Sequence, residues 1–397
     1  MSYDPAMNLE EKRSRANSWL EISMKALRHN VGVFRHRLDA GGSRTLLAAV
    51  VKGNAYGHEM SLVSPTLLEA GVDWLAVISL SEALDLRRSV GDETPILVLG
   101  NVPEDGLEEA VEANLRLTLF DETMLSALVR RSRSAKRPIR LHLEIETGTH
   151  RQGLTPEQVQ AVVEEIARHR SLVVEGISTH FADIEDTTDH RFAERQLAAF
   201  EAVVESLPPE IRRSLIRHTA CTAASILFDR THLDLARVGI GIYGLWPSRE
   251  TLVSARERAV HSPMLEPVLT WKSRIAQIKD LDVGSYVGYG RTWRASRPTK
   301  IAVLPVGYYE GYDRALSAGA HVLIRGFRAP VVGRICMNVT MVDVTDVPGV
   351  TREDIVVLLG SSGEERIRAE DLARWAGTIH YEIISRISPT LPRFPSD

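Results

Sequence analysis

Four stretches of the chain carry residue types whose spacing could do chemistry. Lys52 ends the apolar run LLAAVV and opens KGNAYGH. A lysine at the end of a buried strand loses hydration, which lowers its pKa and frees the amine for Schiff-base chemistry. A solvated strand-end lysine is the plainer alternative. Arg237 is a charge inside the otherwise apolar LDLARVGI. A guanidinium there is almost never buried unpaired, so it needs a partner, and His180 in STHF is the candidate. Gly239, Gly241 and Gly244 in ARVGIGIYG satisfy G-x-G-x-x-G. No βαβ unit with an acidic partner about 20 residues on follows, so a dinucleotide site is weakly supported. Close backbone approach to a phosphate is the better reading, with Thr222 and Ser225 of HTACTAAS adding hydroxyls on the same side; a simple tight turn is the alternative. Finally, THFADIEDTTDH gathers His180, Asp183, Asp186, Asp189 and His190. Their spacing matches no established metal pattern, and an acidic loop leading into a helix explains them, so no metal is expected.

These residues need a scaffold, and the apolar runs describe one. Strand-like runs fall at 45–51, 74–79, 95–99, 115–120, 138–145, 172–178, 214–219 and 233–240. Amphipathic helical patterns such as LEEAVEANL, DETMLSALVRRSR, TPEQVQAVVEEIARH and ERQLAAFEAVVESL lie between them, with Ser81, Asp121 and Thr155 as expected N-caps. Strands alternating with helices imply a parallel sheet, and eight in about 200 residues fit a (β/α)8 barrel better than an open sheet. Reactive groups then belong at the carboxyl ends of the strands, where Lys52 falls. After Pro247 the chain reads as strands and turns, interrupted by the helical AEDLARWAG. The expected class is therefore α/β: an N-terminal (β/α)8, TIM-like barrel over 17–255 and a C-terminal, mainly β domain over 256–397. Residues 1–16 form an expected flexible arm, and the strand near 17–23 is a candidate to pair with the β domain.

Composition narrows the function. The 397 residues carry 48 Lys+Arg against 52 Asp+Glu, a net charge of -4, so no positive field favours nucleic acid. Two distant cysteines, Cys221 and Cys336, exclude a disulfide scaffold and suit a reducing cytosol. The N-terminus lacks the apolar core of a secretory signal, and the apolar runs fall short of the ~20 residues of a membrane span. A cytoplasmic protein is expected.

The motifs also converge on a family. AVVKGNAYGH resembles the cofactor-lysine motif of alanine racemases, and ETGTHRQG, STHF, RVGIGIYG, VGYG, PVGYYEG, GRICMN and YEIISRISPTLPR follow in that family's order. The resemblance spans about residues 17–393 and includes both the fold-type III barrel and the β domain. It implies that Lys52 binds pyridoxal 5′-phosphate (PLP) covalently. Tyr56, Thr222 and the backbones of Gly239 and Ile240 would hold the phosphate. Arg237, held by His180, would face the pyridine nitrogen. An arginine can only donate, so that nitrogen would stay unprotonated and the cofactor would be a weaker electron sink.

Racemisation moves a proton off one face of Cα and onto the other. The resemblance implies two bases, Lys52 and Tyr289, the tyrosine reaching the barrel of the partner subunit in a homodimer with shared active sites. A phenol with a pKa near 10 needs a neighbouring cation to serve as a base, and Arg151 matches that role and contacts the substrate carboxylate. Met337 matches a backbone donor to the same carboxylate, and Tyr308 a residue lining the mouth of the site. Four positions depart from the family pattern. Glu144 replaces a lysine that carries a carbamate, and as a ready-made carboxylate near Arg151 it could supply the same charge. Cys221 replaces a polar residue, Asn338 an acid, and Pro389 a tyrosine that helps fix the phosphate and Tyr289. The expected activity is interconversion of L- and D-alanine for cell-wall precursors. The alternatives are a racemase of another small amino acid such as serine, a metal-dependent D-amino-acid lyase or a decarboxylase of the same fold type, and a PLP carrier without catalysis.

Overall fold

The computed structural model describes residues 8–42, 44–258, 264–317 and 319–397. Two compact units emerge: one of Lys25–Ala55 and Met60–Pro267, the other of the chain through Met24, Tyr56–Glu59 and Val268–Asp397.

The first unit is the parallel barrel. Its eight strands run, in chain order, Leu46–Val50, Trp74–Val77, Ile96–Val98, Arg116–Leu119, Ile139–Glu144, Leu172–Ser178, Ile216–His218 and Leu235–Val238. The first seven pair in sequence order and the eighth pairs with the first, Ala48 opposite Arg237, so the barrel is nearly closed and lacks a strand ladder only between the seventh and eighth. Between the seventh and eighth strands, Asp234 N donates to Arg217 O at 3.0 Å and Arg237 N to Ala220 O at 2.9 Å. Near-continuous apolar runs suit strands covered on both faces, and Leu47, Ala48, Ala49 and Leu75–Val77 are all buried. Capping residues start the outer helices. Asp121 Oδ1 accepts from Met124 N at 2.7 Å, and Thr155 N donates to Gln158 Oε1 at 2.9 Å. Ser81 does not cap: the helix Leu80–Val90 begins one residue earlier, and Ser79 is its N-cap.

The second unit is mainly β. One sheet runs Phe327–Pro330, His321–Ile324, Ile355–Ser362, Leu269–Arg274, Ser18–Ser23, Arg393–Ser396, with Glu365–Ile367 paired to Ile355–Ser362. Ser18–Ser23 lies antiparallel to Leu269–Arg274 and parallel to Arg393–Ser396. Gln277–Leu281, Thr299–Leu304 and Thr340–Asp343 form a second sheet. The helical AEDLARWAG appears as Ala369–Ala376, stopped by Gly377 in the left-handed region.

The units divide between Pro267 and Val268, later than 255/256. The reason is the helix Arg249–Glu257, which the barrel unit keeps: its N-cap Ser248 donates from Oγ to Glu185 O, and its Ser254 Oγ lies 3.1 Å from His190 Nε2. Within the expected flexible arm, Leu9–Arg15 is an exposed helix capped by Asn8, whose Oδ1 accepts from Glu11 N at 2.9 Å. Residues 1–7 of that arm lie outside the described residues.

Two glycines of the β unit separate conformational strain from steric strain. Gly377 and Gly57 both have positive φ, 74° and 83°, but a Cβ at Gly377 meets nothing within 4 Å while one at Gly57 lies 2.2 Å from Ile384 O. Gly377→Ala should cost about 1–2 kcal/mol for the left-handed backbone alone. Gly57→Ala should cost at least about 2 kcal/mol more, because a backbone carbonyl cannot step aside. Urea denaturation of the two variants checks the difference; equal losses would contradict the steric account.

Candidate active site

The site is built at the carboxyl ends of the barrel strands, beginning where the first one stops. Tyr243 donates from its buried hydroxyl to Val50 O at 2.9 Å, and Val51 and Lys52 follow. The backbone then turns left-handed: Gly53, Asn54, Ala55, Tyr56 and Gly57 have φ of 64°, 51°, 56°, 51° and 83°. For a residue with a Cβ this costs about 1–2 kcal/mol, so three such residues must be held. Ala55 N donates to Val51 O, Met60 N to Asn54 Oδ1, and Gly53 N to Glu82 Oε1, all at 2.7–2.9 Å. Glu82 also accepts from Ile78 N with its other oxygen. The composition GNAYG permits such a turn without announcing it, and Glu82 carries no signal in sequence.

Burial pushes the Lys52 ammonium below its ordinary range; the charges of Arg151 and Arg237 push the same way, and Glu82 and Glu185 oppose them. The amine therefore faces two cations and two carboxylates. Arg151 rides on a loop that Glu146 organises, Gly148 N donating to its carboxylate. Although burial is the largest single influence and raises its pKa, the backbone N–H groups of Gly148, His150, Thr149 and Arg151 together hold it below the usual range. Glu146 was missed in the sequence because its role is to bind backbone. Glu144 accepts from Ser178 Oγ at 2.8 Å, and its charge supports that of buried Arg237.

Arg237 does have a buried partner, but not the expected one. Its NH1 donates to His218 Nδ1 and, at 2.8 Å, to His218 O, while NH2 donates to Thr179 O at 2.9 Å. His180 is no hydrogen-bond partner of Arg237. It is the next residue to Thr179, and its carbonyl accepts from Thr149 Oγ1 and Gln196 Nε2. Burial, then the charges of Arg237, Arg151 and Lys52, push the His180 pKa down to about 3, so its imidazole stays neutral among the cations.

The glycine-rich turn sits against strand seven's exit, as an anion cradle requires. Gly239 N donates to Thr222 Oγ1 at 3.0 Å, and Ile240–Tyr243 form a single tight turn. A Cβ on Gly241 would lie 2.7 Å from Thr222 Cγ2 and 2.5 Å from Phe34 Cζ, so only glycine lets the two segments meet. Ser225 Oγ, on the same short helix as Thr222, is buried without a hydrogen-bond partner. Cys221, the N-cap before Thr222, is pushed up to about 12 by burial and remains a thiol. Among the described residues, no three His, Cys, Asp or Glu side chains are arranged to hold a metal.

Tyr56, Tyr289 and Met337 belong to the β unit. Tyr56 has its ring 6.2 Å from that of Tyr381. Arg393, the last residue of SRISPTLPR, donates to Gly57 O at 3.1 and 3.2 Å and so anchors the end of the left-handed turn. Tyr289 is 72% exposed and Met337 54%. Tyr308 N donates to Cys336 O at 3.1 Å and Tyr309 N to Met337 O at 2.9 Å, stacking the two loops backbone to backbone. Asn338 Nδ2 donates to Glu310 Oε1 at 2.7 Å, a bond an acid at 338 could not make when ionised.

A desolvated amine at the carboxyl end of a barrel strand, its pKa lowered further by Arg151 and Arg237, in a chain that also carries a β unit, defines a barrel enzyme class. Comparison with known proteins makes it specific. The family models "Alanine racemase, N-terminal domain" and "Alanine racemase, C-terminal domain" match residues 22–247 and 268–395. An alanine racemase of Leptospira interrogans is 38% identical over 383 residues, 96% of each chain. One from Symbiobacterium thermophilum is 40% identical over 377 residues, 95% of this chain and 96% of the relative. The crystal structure of alanine racemase from Bacillus anthracis with bound L-Ala-P superposes with a TM-score of 0.86 at 31% identity, covering 96% and 95% of the two chains. The chain belongs to the alanine racemase family.

The buried histidines make stability depend on pH. His142, His180 and His218 all have folded pKa values below the ordinary 6.5, in each case chiefly through burial. Below about pH 6.5 the unfolded chain therefore binds more protons than the folded one. Stability should fall as pH falls through this range, by about 1.4 kcal/mol per pH unit for each fully titrating histidine. Urea midpoints between pH 8 and pH 5 test this; a flat profile would contradict neutral burial.

Proposed function

We propose that the protein interconverts L- and D-alanine with PLP, as a homodimer with shared sites, supplying D-alanine for cell-wall precursors in the cytoplasm. The observation that carries the reading is the environment of Lys52: a desolvated amine at a strand end, among Arg151 and Arg237. The residues present fit the cofactor. Gly241 closes on Thr222 with no room for a side chain, and Ser225 Oγ, three residues after Thr222 on the helix Thr222–Leu227, is buried without a partner. Thr222, whose Oγ1 accepts from Gly239 N and can donate its own proton onward, would bind the phosphate with the Gly239–Ile240 backbone and Tyr56, and His180 would border the ring. Bound PLP supplies an electron-withdrawing ring that acidifies the substrate Cα–H.

Lys52 Nζ, with its lowered pKa, takes or returns the proton on one face of Cα. Tyr289 Oη of the other protomer serves the opposite face; its exposure on the β unit leaves it available for that role. Arg151 favours the phenolate of Tyr289 and binds the substrate carboxylate, joined by the backbone N–H of Met337. Arg237 can only donate, so it holds the ring nitrogen unprotonated and restrains side reactions that need a stronger electron sink. Among the described residues, no helix is long and apolar enough to cross a membrane.

Chiral chromatography after incubation with PLP and a panel of L-amino acids in deuterated water tests the assignment. D-alanine carrying Cα deuterium should form fastest. Faster turnover of serine would move the substrate, and PLP binding without exchange would make the protein a carrier. Lys52→Ala should abolish racemisation and covalent retention of PLP. Tyr289→Phe should slow turnover by about 10²–10⁴-fold. Because the equilibrium constant of racemisation is unity, kcat/KM falls equally in both directions. The asymmetry should appear as Cα deuterium exchange without inversion, retained for one enantiomer and lost for the other.

A further inference from the structure

The barrel interior holds a row of buried titratable groups that the proposed reaction does not use. His142 on the fifth strand is 0% exposed and His218 on the seventh 1%. His142 Nδ1 lies 2.7 Å from His218 Nε2, and His142 Nε2 lies 3.2 Å from Glu175 Oε2. His218 Nδ1 contacts Arg237 NH1. Proton positions follow by elimination. A guanidinium only donates, so His218 Nδ1 accepts; the neutral ring then carries its proton on Nε2 and donates to His142 Nδ1. His142 must in turn carry its proton on Nε2 and donate to the carboxylate. Two neutral imidazoles thus join the buried cation of Arg237 to the anion of Glu175, with every hydrogen bond pointing one way.

The barrel is shaped around this row. A Cβ on Gly176 would lie 2.3 Å from His142 Nδ1 and 2.5 Å from its Cε1. The register between the fifth and sixth strands shifts between Leu141 and His142. Trp74, from the second strand, presents its edge to His142 with ring centroids 5.5 Å apart, and Arg116 lies 5.2 Å from the Trp74 centroid. Glu175 also faces Arg116 and Arg140, each 3.3 Å away through Nε, and Arg140 is held by Asn114.

We propose that Glu175 and His142 are positioning residues for Arg237: by fixing the tautomer of His218 they keep its Nδ1 a pure acceptor and hold the guanidinium in one orientation toward the cofactor ring. The inference rests on the PLP reading of Arg237. If the chain were cut, His218 could place its proton on Nδ1, where it would meet an N–H of Arg237 and release the guanidinium.

The test uses Glu175→Leu, Glu175→Gln and His142→Phe in the full chain. Glu175→Gln keeps a carbonyl acceptor for His142; Glu175→Leu has none; His142→Phe keeps a ring without nitrogen. In ¹⁵N-histidine-labelled protein without cofactor, the wild type should show His142 and His218 each protonated on Nε2 at pH 7. Glu175→Leu and His142→Phe should lose that single His218 tautomer, weaken PLP binding about tenfold and shift the absorbance of bound PLP and its pH titration. Glu175→Gln should restore most of each signal. A His218 tautomer and a PLP spectrum unchanged in Glu175→Leu would overturn the proposal, and this variant, at the edge of the row, serves if His142→Phe does not fold. A wild type that never binds PLP, with the tautomers as assigned, would instead sink the cofactor reading.

Discussion

A buried guanidinium without an adjacent carboxylate partner organises the site. Arg237 lies on a strand whose neighbours are apolar, where an uncompensated charge would cost several kcal/mol. Its protons are met by an imidazole nitrogen and by the carbonyls of His218 and Thr179, while Glu144 supplies negative charge from a distance. These acceptors come from the exits of two strands, the sixth and the seventh, and the cation itself from the eighth. Seating the cation therefore fixes how the sixth, seventh and eighth strands end, and those ends carry His180, Thr222 and the glycine turn.

The balance of charge around Lys52 follows from the same arrangement. Neutral histidines let the site keep Arg237 and Arg151 close without adding further cations, and Glu82 is engaged in holding Gly53 and Ile78. What remains around the amine is a balance of two arginines against two carboxylates, with burial lowering its pKa.

The sequence showed the elements better than their contacts. Eight apolar runs became eight strands because parallel strands buried on both faces need continuous apolar stretches, and Asp121 and Thr155 marked helix starts by their side-chain chemistry. Lys52, Thr222 and the glycine turn were legible as strand-end groups. The partner of Arg237 was not, because His180 and His218 both stand at strand ends and only the barrel's closure decides which one reaches the guanidinium. His142 and Glu175 were also hidden: neighbours along a strand point to opposite faces, but a register shift at His142 brings the two together. Ser79 displaced Ser81 because a cap is set by where the backbone turns into the helix.

The pairing of Ser18–Ser23 with both Leu269–Arg274 and Arg393–Ser396 has a consequence for how the chain is made. Ser18–Ser23 waits for two flanking strands that appear only after the whole barrel has left the ribosome. The barrel is thus an insertion within the β unit, flanked by sequence it does not need for its own strand pairing. Vectorial synthesis lets it close first, while the waiting strand, with Leu20 and Ile22 apolar and unpaired, stays exposed to the wrong neighbours until Leu269–Arg274 and Arg393–Ser396 emerge.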